Sequence, residues 1–521
     1  MAGRTVSRRD FLKVVGAVSG AAVLASCTPA TPMVEDEQPE ATQASEATAV
    51  PEEQPAEEQP AEEPVGPELE GKVVVYFGDW TPTESMERSE DNPAPHNKIL
   101  EVVDEYTGMY PGVEIEWLEL PEGITREWTV AQQMAGTIPH VMPASAWVIK
   151  EDLDKDWWVN LTPYLNEANP YIPSGDAGSE AWMDQFYPTP TSMLVQTGGT
   201  FYNVCFGIVT TWFFYNVDMF DELGIQAPET YYDFLENCKV ADDAGLIGYD
   251  GQTYDTSDTD FWYKQQLGSM IMARDLEPLV NPDGGFATFD EVACALENDV
   301  YNANLPQFRQ WMELWKMNVP YRRADWTVIP QDALALFLRK ETPVSENGSW
   351  VIPRLETDPL LDFEWATFWA PTLTTKMSEY VTDPPATAPN VGTVSNSYAV
   401  TTRAEKDGVL DVAIDLVRFM SVPENVGKVQ GEIGTDMPNV KNVTVPDRFT
   451  QAHKWLVESM GYVTMFQYPS CTMDLECTQR TEKAWWAYLL DEMTIDEAIE
   501  ENDAAFKEYA DRYLADTGLQ C

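Results

Sequence analysis

From Lys72 to Phe77 the chain carries an unbroken apolar run, Val73-Val74-Val75-Tyr76-Phe77, that stops at Gly78-Asp79-Trp80. Continuous rather than alternating apolarity predicts a parallel strand covered on both faces. From Asn97 to Tyr110, Ile99, Leu100, Val102, Val103 and Tyr106 recur at helical spacing, and Pro111-Gly112 ends the helix. Val113, Ile115 and Trp117 then alternate with Glu114 and Glu116, which predicts a second strand. Strand, helix and strand at this spacing form a βαβ unit, and its crossover makes the sheet parallel. The same grammar returns late in the chain. Asp407 to Met420 sets Val409, Val412, Ala413, Leu416, Val417 and Met420 on one helical face. Ser421-Val422-Pro423-Glu424 and Thr494-Ile495-Asp496-Glu497 each have the form of a capping box, the second opening a helix with Ala498, Ile499, Phe506, Tyr509 and Tyr513 inward. The pattern is α/β throughout, and these apolar stripes are core.

The amino-terminal stretch follows a different pattern. Val14 to Leu24 is apolar but only 11 residues long, short of the roughly 20 a membrane-spanning helix needs. It is preceded by Ser7-Arg8-Arg9-Asp10-Phe11-Leu12-Lys13, which resembles a twin-arginine export signal, and is followed by Leu24-Ala25-Ser26-Cys27, which resembles a bacterial lipobox. The resemblance implies cleavage after residue 26 and acylation of Cys27, which would hold the chain on the outer face of the cell membrane. Thr28 to Glu70 is Pro, Glu, Ala, Gln and Thr without Lys or Arg, including Glu52-Glu53-Gln54-Pro55-Ala56-Glu57-Glu58-Gln59-Pro60. Such a composition cannot bury enough apolar surface to offset its conformational entropy, so residues 27–70 are expected to form a disordered tether. Its reach lies between roughly 40 Å as a flexible coil and roughly 130 Å fully extended.

The 450 or so residues that remain exceed what one core usually organises, so two lobes are expected. With 32 Lys and Arg against 87 Asp and Glu, the net charge of -55 excludes nucleic acid as a partner, because phosphates require basic residues. The charge leaves open solubility in a salty or acidic habitat and a cationic ligand such as a polyamine. Only His96, His140 and His453 are present, scattered, so neither histidine catalysis nor a zinc site is expected. The Asp250 to Asp260 run lacks EF-hand spacing, and no cofactor is expected. Besides Cys27, the cysteines are Cys205, Cys238, Cys294, Cys471, Cys477 and Cys521. Export permits disulfides, and Cys471 with Cys477 closes the shortest loop, but free buried thiols fit as well.

Several segments resemble, in order, the family 1 extracellular solute-binding proteins of ABC importers, the class that includes maltose-binding protein. They are Tyr110-Pro111-Gly112-Val113-Glu114-Ile115; Ala131-Gln132-Gln133-Met134-Ala135-Gly136-Thr137-Ile138-Pro139-His140-Val141, with His140 where the family has Asp; Asn160-Leu161-Thr162-Pro163-Tyr164-Leu165; Phe213-Phe214-Tyr215-Asn216-Val217-Asp218; and Glu346-Asn347-Gly348-Ser349-Trp350. The resemblance spans Lys72 to Leu514 and implies an α/β, two-lobed, periplasmic-binding-protein-like fold of type II, each lobe a mixed, mostly parallel sheet flanked by helices. It implies lobe 1 as 71–207 with 394–445, lobe 2 as 208–393 with 446–521, and a hinge crossed near Phe206–Val209, Val391–Ser395 and Val443–Pro446.

A sugar presents apolar faces and a rim of hydroxyls, so its site needs aromatic rings beside polar groups. Trp350 matches the family's stacking tryptophan. Asp79 and Trp80 fall at a strand end, Trp147 follows the His140 segment, and Trp212 follows the first crossover. Trp262, between Phe261 and Tyr263, offers a second-lobe platform, and Asn396 and Tyr398 follow the second crossover. For each, packing in the core is the competing role. The resemblance implies a monomeric receptor that captures a sugar or oligosaccharide and delivers it to the transmembrane subunits of an ABC permease, making and breaking no bond. A polyamine receptor of the same fold and a surface glycosidase using two carboxylates are the rival readings.

Overall fold

A computed structural model describes residues 68–87, 95–118, 124–196, 198–249, 253–254, 258–259, 261–280, 287–323, 326, 333–358, 361–383, 392–444 and 474–521. The export signal, Cys27 and nearly all of the expected tether lie outside these residues, as do most of the Asp250–Asp260 run and Cys471, one half of the short disulfide. Among the described residues no helix is long and apolar enough to cross a membrane.

The opening unit forms where the apolar pattern places it: β1 (Glu70–Val75), α1 (Lys98–Met109) and β2 (Gly112–Trp117), with β1 and β2 parallel in the register Val73 to Ile115. Ile99, Val102, Val103 and Tyr106 of α1 face inward. The amino end of α1 is capped from outside the helix. The carboxylate of Glu432 accepts from the backbone N–H of Asn97 at 2.9 Å and of Lys98 at 2.7 Å, an acidic group on the positive end of the helix dipole.

The next elements are α2 (Arg126–Ala135), β3 (Val141–Pro143) and α3 (Ala146–Glu151), followed by the long strand β4 (Asn203–Asn216). Then come α4 (Phe261–Val280), α5 (Phe289–Glu297), β5 (Val344–Gly348), β6 (Trp365–Phe368) and β7 (Gly392–Val400). The last are α6 (Leu410–Met420), α7 (Pro423–Ile433), β8 (Met437–Pro438), α8 (Leu475–Leu489) and α9 (Ile495–Thr517). The eight strands make one mixed sheet in the order β8-β4-β7-β3-β1-β2, with β5 and β6 also paired to β4.

Strand β4 is 14 residues long, about 46 Å at 3.3 Å per residue. Its first half pairs antiparallel with β7 and β8, and its second half with β5 and β6. Gly207, Ile208 and Val209 lie directly against Ser395, Val394 and Thr393, so two of the expected crossover segments run side by side. Of the third, Val445 and Pro446 are outside the described residues. Val204 and Phe206 enter a core with Val73, Phe77, Tyr106 and Leu416. Phe213, farther along the same strand, enters a separate core with Tyr263, Trp315, Trp485 and Tyr509.

Two expectations are corrected. The helix expected over Asp407–Met420 begins at Leu410, after a separate turn over Arg403–Lys406. The Ser421 capping box does not form. Val422 is the cap residue, with Pro423 in the first turn, and the Ser421 hydroxyl donates instead to the Arg418 carbonyl at 2.7 Å while accepting from the Trp182 indole at 2.9 Å. A disulfide joins Cys294 of α5 to Cys521, Cys477 is also disulfide-bonded, to a cysteine outside the described residues, and Cys205 and Cys238 are free and buried. The Thr494 box forms, with Thr494 and Glu497 capping each other's backbone.

Candidate functional site

A groove of about 360 Å³ opens beyond the carboxyl end of β3, walled by the start of α2, by α3 and by residues 394–397 of β7. Open α/β sheets place ligands at such strand ends. Thr125 caps α2 by accepting from the Trp128 backbone N–H at 3.1 Å, which fixes Arg126 in the first turn at the groove wall. The Arg126 guanidinium is clamped in two bonds, 2.7 and 2.6 Å, to Asp152, which is fully buried and also receives Lys155 at 2.7 Å. That cation is thus committed to a structural pair.

The remaining described lining is neutral. Ile124, Met142, Pro143 and Val148 give apolar surface, and Thr125, Thr129, Ser145, Ser395, Asn396 and Ser397 give hydroxyls and an amide. Trp158 also lines the groove. It is 4% exposed and its indole N–H has no hydrogen-bond partner among the described residues. A buried unmade donor costs about 1–3 kcal/mol, which an acceptor on a bound molecule would relieve.

The β7 wall is braced from behind by Asp436, whose carboxylate accepts from Ser395 and Asn396. Tyr398 is fully enclosed, and its one hydroxyl proton is shared between the Phe77 carbonyl at 3.0 Å and Asn396 Oδ1 at 3.2 Å. Trp80 is likewise sealed, packed against Phe206 and Tyr398, while Asp79 beside it, in the turn Gly78–Trp80, is exposed. Trp147 belongs to α3.

Trp350 and Trp262 form a second aromatic element. Both are half-buried, and their rings meet edge to face at 5.2 Å. The Trp350 ring folds over Gly348, where a Cβ would stand 2.0 Å from it. Gly348 pairs with Thr211 and Ser395 with Gly207, four residues apart on β4, so the two elements are separated by about 13 Å of strand. Trp212 is 2% exposed and packs edge to face on Trp369 at 5.5 Å.

Of the residues singled out in the sequence, the structure places Asn396 on the groove and pairs Trp350 with Trp262. It puts Trp80, Trp212 and Tyr398 in the core. Arg126, Trp158, Ser395 and Asp436 went unnoticed. Only Trp158 carried a local signal, as the second of two adjacent tryptophans. His140, in place of the family's Asp, is a structural tie: its Nδ1 accepts from the Val74 N–H at 3.0 Å and its Nε2–H donates to Asp407 at 3.0 Å. Burial lowers its pKa, in keeping with a neutral ring. Among the described residues no cluster of His, Cys, Asp or Glu is arranged to hold a metal ion.

A family model of bacterial extracellular solute-binding proteins matches residues 92–426, well over half of the chain. No curated protein matches it in sequence. Among solved structures, it is similar to the cyclic α-maltosyl-1,6-maltose binding protein of Arthrobacter globiformis, at 17% identity and TM-score 0.57 over 85% of this chain and 100% of that one. It is also similar to the GacH receptor of Streptomyces glaucescens, solved unliganded and with acarbose, at 14% identity and TM-score 0.57 over 85% and 99%. A third is RafE in complex with raffinose, at 15% identity and TM-score 0.55 over 84% and 100%. At such identities the likeness is one of fold.

Proposed function

Because the chain belongs to the bacterial extracellular solute-binding proteins, we propose that it captures a neutral oligosaccharide in the β3–α2–β7 groove and delivers it to the permease of an ABC importer. The observation that carries this reading is the chemistry of the groove: apolar wall, hydroxyls and an amide, an unpartnered Trp158 N–H, and no carboxylate among its described lining residues. Sugar faces suit the apolar wall, and sugar hydroxyls suit the polar groups.

The same lining weighs against the rivals. A polyamine would want carboxylates, and among the described residues the ionised group lining this groove is Arg126, a cation. A glycosidase of the usual kind needs two carboxylates facing the bond to be cleaved. Raffinose and acarbose in the complexes of similar folds agree with a saccharide.

In this reading residues 71–207 with 394–445 form one lobe and 208–393 with 446–521 the other. The two separate cores strung along β4 support that division. A ligand touching both the groove and the Trp262–Trp350 pair binds the closed form better, and that difference drives closure. The permease reads the closed shape, and acylated Cys27 with the acidic tether keeps the receptor at the outer membrane face.

The test is a thermal-shift and tryptophan-fluorescence panel of neutral oligosaccharides with spermidine alongside. One sugar class should raise the melting temperature in proportion to RT ln(1 + [L]/Kd), with no loss at high salt. A panel in which only spermidine acts, or nothing does, refutes the saccharide reading.

A further inference from the structure

Asp436 does not line the groove, yet two consecutive groove residues depend on it. Its side chain is 2% exposed. One carboxylate oxygen, Oδ2, accepts from the Ser395 hydroxyl at 3.0 Å, from Asn396 Nδ2 at 2.8 Å and from Gln430 Nε2 at 2.8 Å, while Oδ1 receives the Thr435 hydroxyl at 3.3 Å. Every one of these partners is neutral. The titratable groups facing it are Asp79 from the turn after β1, Tyr398 from β7 and the Cys205 thiol from β4, none of them cationic. A buried carboxylate without a counter-ion is expensive. The backbone nevertheless makes room for it: a Cβ on Gly207 would lie 1.6 Å from Oδ2.

Consecutive strand residues normally point to opposite faces. Asn396 departs from that rule with φ of 47°, in the left-handed region that asparagine tolerates. The ladder accordingly runs from Gly207–Ser395 to Cys205–Ser397, with no register pair at Asn396. This local break lets Ser395 and Asn396 both reach one carboxylate while both line the groove.

We propose that Asp436 is a positioning residue of the ligand groove, fixing the hydrogen-bond polarity of Ser395 and Asn396 without touching the ligand. A serine hydroxyl has one proton and two lone pairs. With its proton held by Asp436, Ser395 Oγ faces the groove as an acceptor. Asn396 gives one amide proton to Asp436 and takes the Tyr398 hydroxyl on its oxygen, so its second N–H is left as a donor. An acceptor beside a donor on adjacent residues matches a vicinal diol, in which one hydroxyl donates and the next accepts. The ligand class comes from the saccharide reading above, whereas the hydrogen bonds stand independently of it.

Two readouts on the full chain test the role. In asparagine-15N-labelled protein, the Asn396 side-chain amide resonance, identified by its loss in Asn396→Ser, should titrate with a midpoint near pH 6. It should be flat with pH in Asp436→Asn and exchange faster with water in Asp436→Ala. With maltotriose as the probe, calorimetry should show Asp436→Ala weakening binding about tenfold and Asp436→Asn, which keeps an acceptor oxygen in place, restoring most of the loss. A resonance that neither titrates nor responds to Asp436→Ala overturns the role, as does equal maltotriose affinity in wild type and Asp436→Ala. If wild type does not bind maltotriose or any other sugar of the panel, the saccharide reading falls and the amide resonance alone decides the positioning claim.

Discussion

The ammonium of Lys150 stands 4.3 Å from the ring centre of Phe289, with Tyr513 at 4.6 Å and Tyr509 at 5.3 Å closing the rest of an aromatic cage. Lys150 belongs to α3, whose Ser145 cap and Val148 line the groove, whereas the three rings belong to the core around α5 and α9. One short helix therefore touches both the groove and the opposite core. Burial pushes the Lys150 ammonium down to about 8, while Asp474, Glu151 and Asp290 pull upward and Arg512 adds to the depression.

The sign of the resulting pH effect is fixed by that depression. Between about pH 8 and 10.5 the unfolded chain holds the Lys150 proton and the folded chain has released it, so this group's contribution to stability rises with pH through that window. Below pH 8 it carries a constant cost. Lys150→Met, which keeps the stem and removes the charge, should be more stable than wild type at pH 7, with the gap shrinking by about 1–3 kcal/mol by pH 10.5. Urea unfolding of the two proteins at both pH values checks this, and a pH-independent gap contradicts it.

Asp436 runs the other way. Burial raises its carboxyl to about 6, above the ordinary value of 3.8. The folded chain then holds the proton more tightly, so the stability linked to this group is fully present below about pH 4 and lost as pH rises through 6. At neutral pH the ionised carboxylate costs about 2–3 kcal/mol. Asp436→Asn should therefore unfold at higher urea than wild type at pH 7 and at the same urea near pH 4. Equal stability at pH 7 would remove the case for a strained buried charge.

The sequence was most legible where a single local pattern decides the structure. The β1-α1-β2 unit and the Thr494 box follow from apolar spacing and from two side chains three residues apart. The Ser421 box has the same local form and fails because Arg418 and Trp182 compete for the Ser421 hydroxyl, partners that no local pattern shows. The groove was the least legible part. Its polar groups come from positions near 126, 145, 158 and 395, brought together by β3 lying antiparallel to β7. Asp436 is invisible for the same reason, since its meaning depends on Gly207 and Asn396. Trp80 and Tyr398 were candidates because aromatic residues at strand ends serve cores and ligands alike, and in this fold they fill the core.

Gly348 tests the aromatic platform. A Cβ there would meet the Trp350 ring at 2.0 Å, and the side chain is half-buried, so the ring has somewhere to go. Gly348→Ala should turn Trp350 away from Trp262, changing tryptophan fluorescence. Its stability cost should be about 1–3 kcal/mol, the range for overpacking. If the pair stacks on ligand, the variant should also weaken saccharide binding about tenfold or more, as loss of an aromatic contact does. Unaltered fluorescence would place Trp350 elsewhere.

Cys294 and Cys521 join residues 227 apart in sequence, tying the last residue of the chain to α5. Phe289, the first residue of α5, is one wall of the Lys150 cage, and Tyr509 and Tyr513 on α9 are the others. The bridge thus fastens together the two helices that hold the lysine. A loop this long gives a large chain-entropy effect in the unfolded state, up to about 5 kcal/mol, although measured values more often fall at 2–4 kcal/mol. Cys521→Ser should lower the unfolding free energy measured in urea by that amount under oxidising conditions, and reductant should bring wild type down toward the variant. Because α5 and α9 are also joined by the Tyr513 hydroxyl donating to Asp290 at 2.7 Å, and Tyr301 just after α5 packs on Phe506 of α9 at 5.5 Å, the variant should still fold. The hydrogen exchange it gains should be confined to the last turns of α9 and spread to α3 only if the cage is the link between them. Exchange rising in α9 but not in α3 would make the cage a passive contact rather than a mechanical connection.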